Sequence, residues 1–317
     1  MMQPLFFQKY RFILEITEPM VLPIYKGSTL RGALLNAFKG CVCMMPHRNC
    51  SICPISNSCS YFAMFEPKIS SSMPTPYIIE PPREERQEYS AGERLEFYIV
   101  LVGNTVHYWN LMVFAVQQIG CKLGLGKQVR GKRGKFKIIE VASVGRHQEL
   151  VPLYLTSAGF NGNQPLTIFA QDFVEADGGS PVSTLVLKFL TPLCLVEQTP
   201  DKKQVVNHLD FSLLLARLLQ RLSYLSELYC DGTKWERGHL LQAAESCQVT
   251  EYDTKLVKFD RYSQRQQGYH PLEGILGKIC LRGDLAPYLP YLQLGAWLHA
   301  GKKSSFGFGH YQIEEIA

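Results

Sequence analysis

Two tandem α+β halves are predicted by this amino-acid sequence, on three observations. Short apolar strand-like runs alternate with amphipathic helical runs. The alternation occurs twice, with matching glycine-rich punctuation. Each half reads β-α-β-β-α-β, the order of a ferredoxin-like unit, in which an antiparallel sheet carries two helices on one face. A length of 317 residues suits about two domains. With 46% apolar and 19% charged residues, the chain is too hydrophobic to remain disordered.

The first half opens on the strand-like FILEITEPMVLP, Phe12 to Pro23, followed by a helix over Leu30 to Phe38 that Ser28 or Thr29 would cap. Next come the strand ERLEFYIVLV, a helix near Tyr108 to Leu123, a glycine-rich basic strip, and the strand KFKIIEV ending at Val141. The second half repeats the pattern with LKFLTPLCLV (Leu187 to Val196), a helix over Phe211 to Tyr229, the strand ILGKICLRG, a helix near Leu285 to His299, a second glycine-basic loop and the strand YQIEEI ending at Ile316. Glycines and prolines accumulate between the halves, so the expected boundaries are a first domain over 1–142, a linker or excursion over 143–183, and a second domain over 184–317.

Net charge is +5 and the pI is near 8.6, a modest excess that favours an anionic partner. The local distribution is more telling. Between Cys121 and Ile139 stand Lys122, Lys127, Arg130, Lys132, Arg133, Lys135 and Lys137 with no acidic residue, interleaved with Gly124, Gly126, Gly131 and Gly134. Glycines let backbone amides and cationic side chains approach a phosphate chain closely. The charge-free stretch Ile99 to Cys121 contains Gly103, Asn104, His107, Asn110, Gln117 and Gln118, so it reads as a strand, a turn and a helix rather than a membrane span. The N-terminus lacks the basic region and unbroken apolar run of a signal peptide, and the expected location is the cytoplasm, with no membrane partner.

Four of the ten cysteines, Cys43, Cys50, Cys53 and Cys59, fall within a short segment containing a Cys-x2-Cys step, with Cys41 as a possible substitute. In a reducing compartment such spacing points to a tetrahedral thiolate site. Structural zinc is the expected occupant, an iron–sulfur cluster is the alternative, and His47 is a candidate replacement ligand. The cluster makes a small cysteine-rich metal-binding insertion at about 41–61 of the first domain. Cys121, Cys194, Cys230, Cys247 and Cys280 are scattered and read as buried.

Near the C-terminus stands GKKSSFGFG, Gly301 to Gly309. It is not a Walker loop, which needs glycine at Ala296 and Ser or Thr where Lys303 stands. Nor is it a dinucleotide fingerprint, which needs glycine at Gln312. Its lysines suit phosphate, its serine hydroxyls and bare amides suit phosphate oxygens, and phenylalanine offers a stacking face to an unpaired base. The competing reading places Phe306 and Phe308 in the core beneath a glycine turn. In DRYSQRQ, Asp260 to Gln266, Arg261 and Arg265 flank Tyr262 and Ser263, either as an RNA contact or as a charged edge strand.

These residues together resemble the CRISPR-associated precursor-crRNA-processing endoribonucleases of the RAMP superfamily. The resemblance runs through YKGSTLRGALLNAF, CSYFAMFEP, LGLGKQVRGKRGKF and RYSQRQ, and above all RGDLAPYLPYLQLGAWLHAGKKSSFGFGHYQI. It implies tandem ferredoxin-like (RAMP/RRM-like) domains, a glycine-rich loop beside the RNA, and metal-independent cleavage in which the 2′-hydroxyl attacks the adjacent phosphorus, leaving a 2′,3′-cyclic phosphate and a 5′-hydroxyl. Many members of that family place a histidine in or just after the first helix, whereas Leu30 to Phe38 contains none.

The candidate catalytic residues are therefore His47, His299, Tyr25 and Arg31. The candidate RNA-binding residues are Lys26, Lys127, Arg130, Lys132, Arg133, Arg261, Arg265, Gly301, Lys302, Lys303, Ser304, Ser305, Phe306, Gly307 and Gly309. The expected partners are repeat RNA or crRNA and other CRISPR effector subunits. The missing helix histidine keeps open a second reading, a non-catalytic crRNA-binding subunit. A zinc-stabilised DNA regulator is disfavoured because no helix-turn-helix or regular finger spacing is present.

Overall fold

The computed structural model describes residues 4–66, 73–175, 181–198, 203–206, 208–263 and 268–316. The chain is an α+β protein with antiparallel sheets, and it divides into two compact units, Phe6–Ile168 and Phe169–Ala317 together with Met1–Leu5.

The first unit is built from β1 (Phe6–Ile16), α1 (Gly27–Val42), α2 (Ser60–Phe65), β2 (Tyr77–Glu80), β3 (Arg94–Val102), α3 (Trp109–Gln118), β4 (Leu125–Val129), β5 (Lys132–Gly134), β6 (Phe136–Val144), β7 (Leu150–Leu155) and β8 (Gly159–Phe160). Its main sheet runs β8-β7-β6-β1-β3-β2. Alternation along β1 places Tyr10, Phe12, Leu14 and Ile16 in the core. Against them lie Leu30, Leu34 and Phe38 of α1, one helical stripe at i, i+4 and i+8, and Met112, Val113 and Val116 of α3.

Helix α1 is longer than the sequence suggests. It begins at Gly27, so Ser28 and Thr29 lie inside the first turn and do not cap it. The expected linker is also partly wrong: the chain turns back at Gly145, whose amide donates to the Glu149 carbonyl at 2.9 Å, and β7 and β8 extend the sheet beyond β6. Four fully buried residues, Tyr77–Glu80, supply a strand too short to announce itself by alternation.

The second unit comprises β9 (Thr184–Leu193), α4 (Phe211–Tyr229), β10 (Gln248–Ser263), β11 (Gly268–Arg282), α5 (Leu289–Leu298) and β12 (Tyr311–Ile316), with sheet order β10-β11-β9-β12. Asp210 caps α4 by accepting from the Ser212 amide at 2.9 Å, and Leu214, Leu215, Leu218, Leu219, Leu222 and Leu225 form its buried stripe. Tyr311 of β12 donates from its hydroxyl to the Leu292 carbonyl of α5 at 2.6 Å. Strand β11 pairs with β9 only over Ile275 to Arg282, whereas its pairing with β10 continues to Gly268, opposite Ser263. The distal part of β10–β11 is therefore a two-stranded ribbon extending past the sheet.

Glu314 on β12 is clasped by Lys188 of β9 at 2.8 Å and Lys278 of β11 at 2.6 Å. Hydrogen bonds from these two ammonium groups hold its carboxyl down at about 2, against an ordinary 4.5. A group with a depressed folded pKa stabilises the fold above its unfolded value and loses that contribution as pH falls through the folded one. Glu314→Gln should accordingly flatten the acid-unfolding profile between pH 4.5 and about 2, by a small amount because the group is exposed, and 1 M salt should shrink the difference. Among the described residues, no helix is long and apolar enough to cross a membrane.

Candidate nucleic-acid interface

Helix α5 stops because the chain leaves the right-handed helical region at His299, which adopts φ 62° and ψ 152°. Positive φ recurs at Gly301 (73°), Lys303 (66°), Gly307 (88°) and Gly309 (76°), so the loop is wound tightly. It is stitched to the end of β9. The Lys302 amide donates to the Cys194 carbonyl at 2.8 Å, and the Gly309 amide donates to Pro192 at 2.9 Å. Thr191 Oγ1 donates to the Gly307 carbonyl at 2.6 Å and accepts from the His310 amide at 2.9 Å. Such a loop presents fixed groups and loses little conformational freedom when it binds a ligand.

The two phenylalanines separate. Phe308 is wholly buried, as the core reading had it, while Phe306 is half-buried beneath the guanidinium of Arg261, 4.8 Å from its ring centroid. Lys303 reaches the ribbon as well, donating to the Pro271 carbonyl at 3.3 Å. The loop and the β10–β11 ribbon, read from the sequence as separate motifs, thus share one cationic face with Lys302 exposed. Ser304 and Ser305 are only 4% and 9% exposed, which corrects the expectation that their hydroxyls greet phosphate. Arg265 lies outside the described residues.

Two histidines bracket the loop. His299 is fully buried, with Nδ1 2.9 Å from the Phe308 carbonyl; since a carbonyl only accepts, Nδ1 carries the proton. Its ring lies flat on that of half-buried His310, centroids 4.7 Å apart and planes within 10°. From α4, the buried Arg221 donates through Nε to the carbonyls of Leu298 and His299, both at 3.1 Å. Sequence reasoning found His299 and missed His310, whose one signal was its place directly after the last loop glycine.

In the first unit, β4 and β5 form a hairpin whose two turn residues, Arg130 and Gly131, have φ of 50° and 79°. Lys127, Arg130, Lys132 and Arg133 are all exposed on it, a basic finger in the position of the glycine-basic strip. Lys26 requires a correction. It is 0% exposed, its ammonium donates to the Glu84 carbonyl at 2.6 Å and to Ile24 at 3.3 Å, and burial lowers its pKa, so it braces the start of α1 rather than meeting RNA. Arg31 donates from Nε to the Tyr77 hydroxyl at 3.0 Å. Burial pushes the Tyr25 phenol well above its ordinary pKa, which keeps it protonated and unsuited to act as a base at neutral pH. His47 is exposed among the cysteines.

Residues 4–165 match the family model of the AF_1859_N N-terminal domain, and residues 187–311 match that of the CRISPR-associated endoribonuclease Cas6. Residues 4–165 thus belong to the family described as AF_1859_N, and residues 187–311 form a CRISPR-associated Cas6-type domain. A similar chain, an uncharacterized protein of Archaeoglobus fulgidus, is 23% identical over 310 residues, covering 92% of each. Among solved structures, a partial Cas6-RT-Cas1–Cas2 complex superposes with a TM-score of 0.62 at 12% identity; the alignment covers 99% of this chain but spans only 46% of that one. Thermus thermophilus Cas6 superposes with a TM-score of 0.55 at 12% identity, over 99% of this chain and 100% of the other. A Cas6 product complex gives 0.55 at 13% identity, with the same coverage. At such identities the likeness is one of fold.

The cysteine segment joins α1 to α2. Cys43 ends α1, single 3-10 turns at Cys50–Ile52 and Ser56–Ser58 deliver Cys53 and Cys59 in extended conformation, and Cys59 begins α2. Burial pushes the Cys50 thiol up, and the neighbouring Cys43 and Cys59 raise it further. Among the described residues no three of these sulfurs lie within 4.8 Å of one another, so closing on one ion requires them to draw in. Cys43, Cys50, Cys53 and Cys59 would hold an ion as a closed thiolate set, with no carboxylate among them.

Proposed function

We propose that this chain binds CRISPR repeat RNA and cleaves precursor crRNA once per repeat, without metal, by attack of the 2′-hydroxyl on the adjacent phosphorus. The 2′-oxygen bonds to phosphorus, the bond to the 5′-oxygen breaks, and the products carry a 2′,3′-cyclic phosphate and a 5′-hydroxyl. The reaction needs a base for the 2′-hydroxyl, cations beside the developing phosphorane and an in-line geometry. The observation that carries this reading is the Gly301–Gly309 loop. It combines a rigid backbone, the cations Lys302, Lys303 and Arg261, an accessible edge of Phe306, and a histidine at either end.

The Cas6-type match of residues 187–311, the two β-α-β-β-α-β units with matching strand order and the basic β4–β5 finger support it. Each unit reads as ferredoxin-like. The segment 41–61 reads as a zinc knot held by Cys43, Cys50, Cys53 and Cys59, or as the seat of an iron–sulfur cluster. The metal would serve as a cross-link between α1 and α2, because four thiolates leave no open position for catalysis. Other CRISPR effector subunits are the expected protein partners, and the cytoplasm the expected location. The absence of histidine from Gly27–Val42 favours one alternative, a non-catalytic crRNA-binding subunit.

One experiment separates the two. Purified chain is incubated with labelled repeat RNA in EDTA, beside RNA carrying a 2′-deoxy at the cut site. Cleavage that persists in EDTA and stops on the deoxy substrate is the expected result; tight binding with no cutting of either RNA establishes the alternative. Metal analysis of the same preparation should find about one zinc per chain, and a metal-free, folded preparation would defeat the thiolate site.

A further inference from the structure

We infer that His310 exchanges a proton with the RNA during cleavage, and that His299 is its positioning partner. This rests on the cleavage reading above and assigns within it a residue that stands outside the first helix.

The starting observation is backbone geometry. At φ 62° and ψ 152°, His299 occupies a region that is almost reserved for glycine. In the same loop Gly301, Gly307 and Gly309 take positive φ as glycines and Lys303 sits in the ordinary left-handed region at ψ 21°, whereas His299, at ψ 152°, lies outside it. A residue held in such a conformation must be over-determined by its surroundings, and three contacts do this. Arg221 grips the carbonyls of Leu298 and His299, the ring Nδ1 donates to the Phe308 carbonyl, and the ring face rests on His310. A buried filler would need none of the ring's polarity. Here Nδ1 is committed to the Phe308 carbonyl and the ring is turned flat against a second imidazole.

His310 is the accessible member of the pair. Its backbone is fixed on both sides: the amide donates to Thr191 Oγ1 at 2.9 Å, and the carbonyl accepts from Leu190 at 2.8 Å and Thr191 at 3.2 Å. Unlike His299 it retains solvent exposure, and it follows directly on the loop whose Lys302 and Lys303 suit phosphate. The stacked His299 ring holds the His310 imidazole in one orientation, so its nitrogens stay aimed as the RNA arrives. In the step, the His310 imidazole accepts the proton of the 2′-hydroxyl and the 2′-oxygen bonds to phosphorus. The P–O5′ bond breaks, the 5′-oxygen takes a proton from solvent, and His310 returns its own proton to solvent.

The test is single-turnover cleavage of labelled repeat RNA from the locus encoding the chain, run alongside an RNA-binding measurement and circular dichroism. His310→Ala should slow cleavage by about 10²-fold or more while leaving affinity within about threefold, and imidazole added to the buffer should restore part of the lost rate. His310→Gln serves if the alanine variant folds poorly. His299→Gly, which relieves the backbone, should also slow cleavage, by about 10-fold, with binding retained and no rescue by imidazole, because the reacting ring is still present but unsupported. A folded His310→Ala that cuts at the wild-type rate, or one that imidazole fails to restore, overturns the inference and leaves the proposed function standing. A wild-type chain that binds repeat RNA and never cuts it sinks both.

Discussion

Replacing Gly309 with alanine should destabilise the second unit by about 3 kcal/mol or more and abolish the RNA binding proposed for the loop. Two costs add. At φ 76° any side chain meets the left-handed penalty, about 1–2 kcal/mol. The new methyl would also land on the Ala300 carbonyl oxygen, with the carbonyl carbon at 2.9 Å and the Ala300 amide nitrogen at 3.0 Å. That obstacle is backbone and cannot swing aside. It is bound besides, because the Ala300 amide donates to the Gly309 carbonyl at 2.9 Å and the Gly309 amide donates to Pro192 at 2.9 Å. Making room means breaking these bonds and unseating the loop from β9.

Gly131→Ala is the matched control. Its φ is 79° and nothing lies within 4 Å of the added methyl, so it should cost only about 1 kcal/mol, the left-handed penalty alone. Denaturant unfolding of both variants, with repeat-RNA affinity measured in parallel, checks the pair. Equal losses would mean that backbone conformation rather than the close approach to Ala300 governs Gly309.

Arg221→Ala should cost about 3 kcal/mol and displace the same loop from the opposite side. The guanidinium is buried on α4, and burial pulls its pKa down to about 10, so below that pH its charge counts against folding. Its Nη2 has no hydrogen-bond partner among the described residues. What offsets this is the pair of carbonyls at the C-terminus of α5, where the last turn lacks partners and a cation is favoured by the helix dipole.

Truncation to alanine removes the donor, orphans both carbonyls and leaves a cavity. Arg221→Met keeps the volume and sheds the buried charge, so it should lose about half as much. Thermal midpoints of the two variants decide the matter. A methionine variant as unstable as the alanine one would show that the carbonyl contacts outweigh packing, and equal stability to the wild type would show that the buried charge is merely tolerated.

Much of the local structure was legible. The helix expected over Phe211 to Tyr229 is found with those limits, because six buried leucines repeat at helical spacing and Asp210 supplies a cap. The strand ending at Val102 and the basic glycine strip were equally plain. What escaped was short or depended on partners. Tyr77–Glu80 is four residues long, too brief for a period, and β7 and β8 hide among glycines and prolines. Strand β10 is mostly exposed and polar, so only its arginine-rich end attracted notice.

By itself, then, the sequence determined where the long helices form and where charge gathers, since those properties belong to neighbours along the chain. Only the tertiary structure decided which polar groups face outward. Lys26 went inside because two carbonyls of the same unit receive it, and Ser304 and Ser305 were covered. Arg261 came to rest on Phe306, and His310 on His299. Those pairings join residues tens of positions apart or on either side of a wound loop. Exposure is a property of the packed neighbours, and no periodicity along the chain reports it.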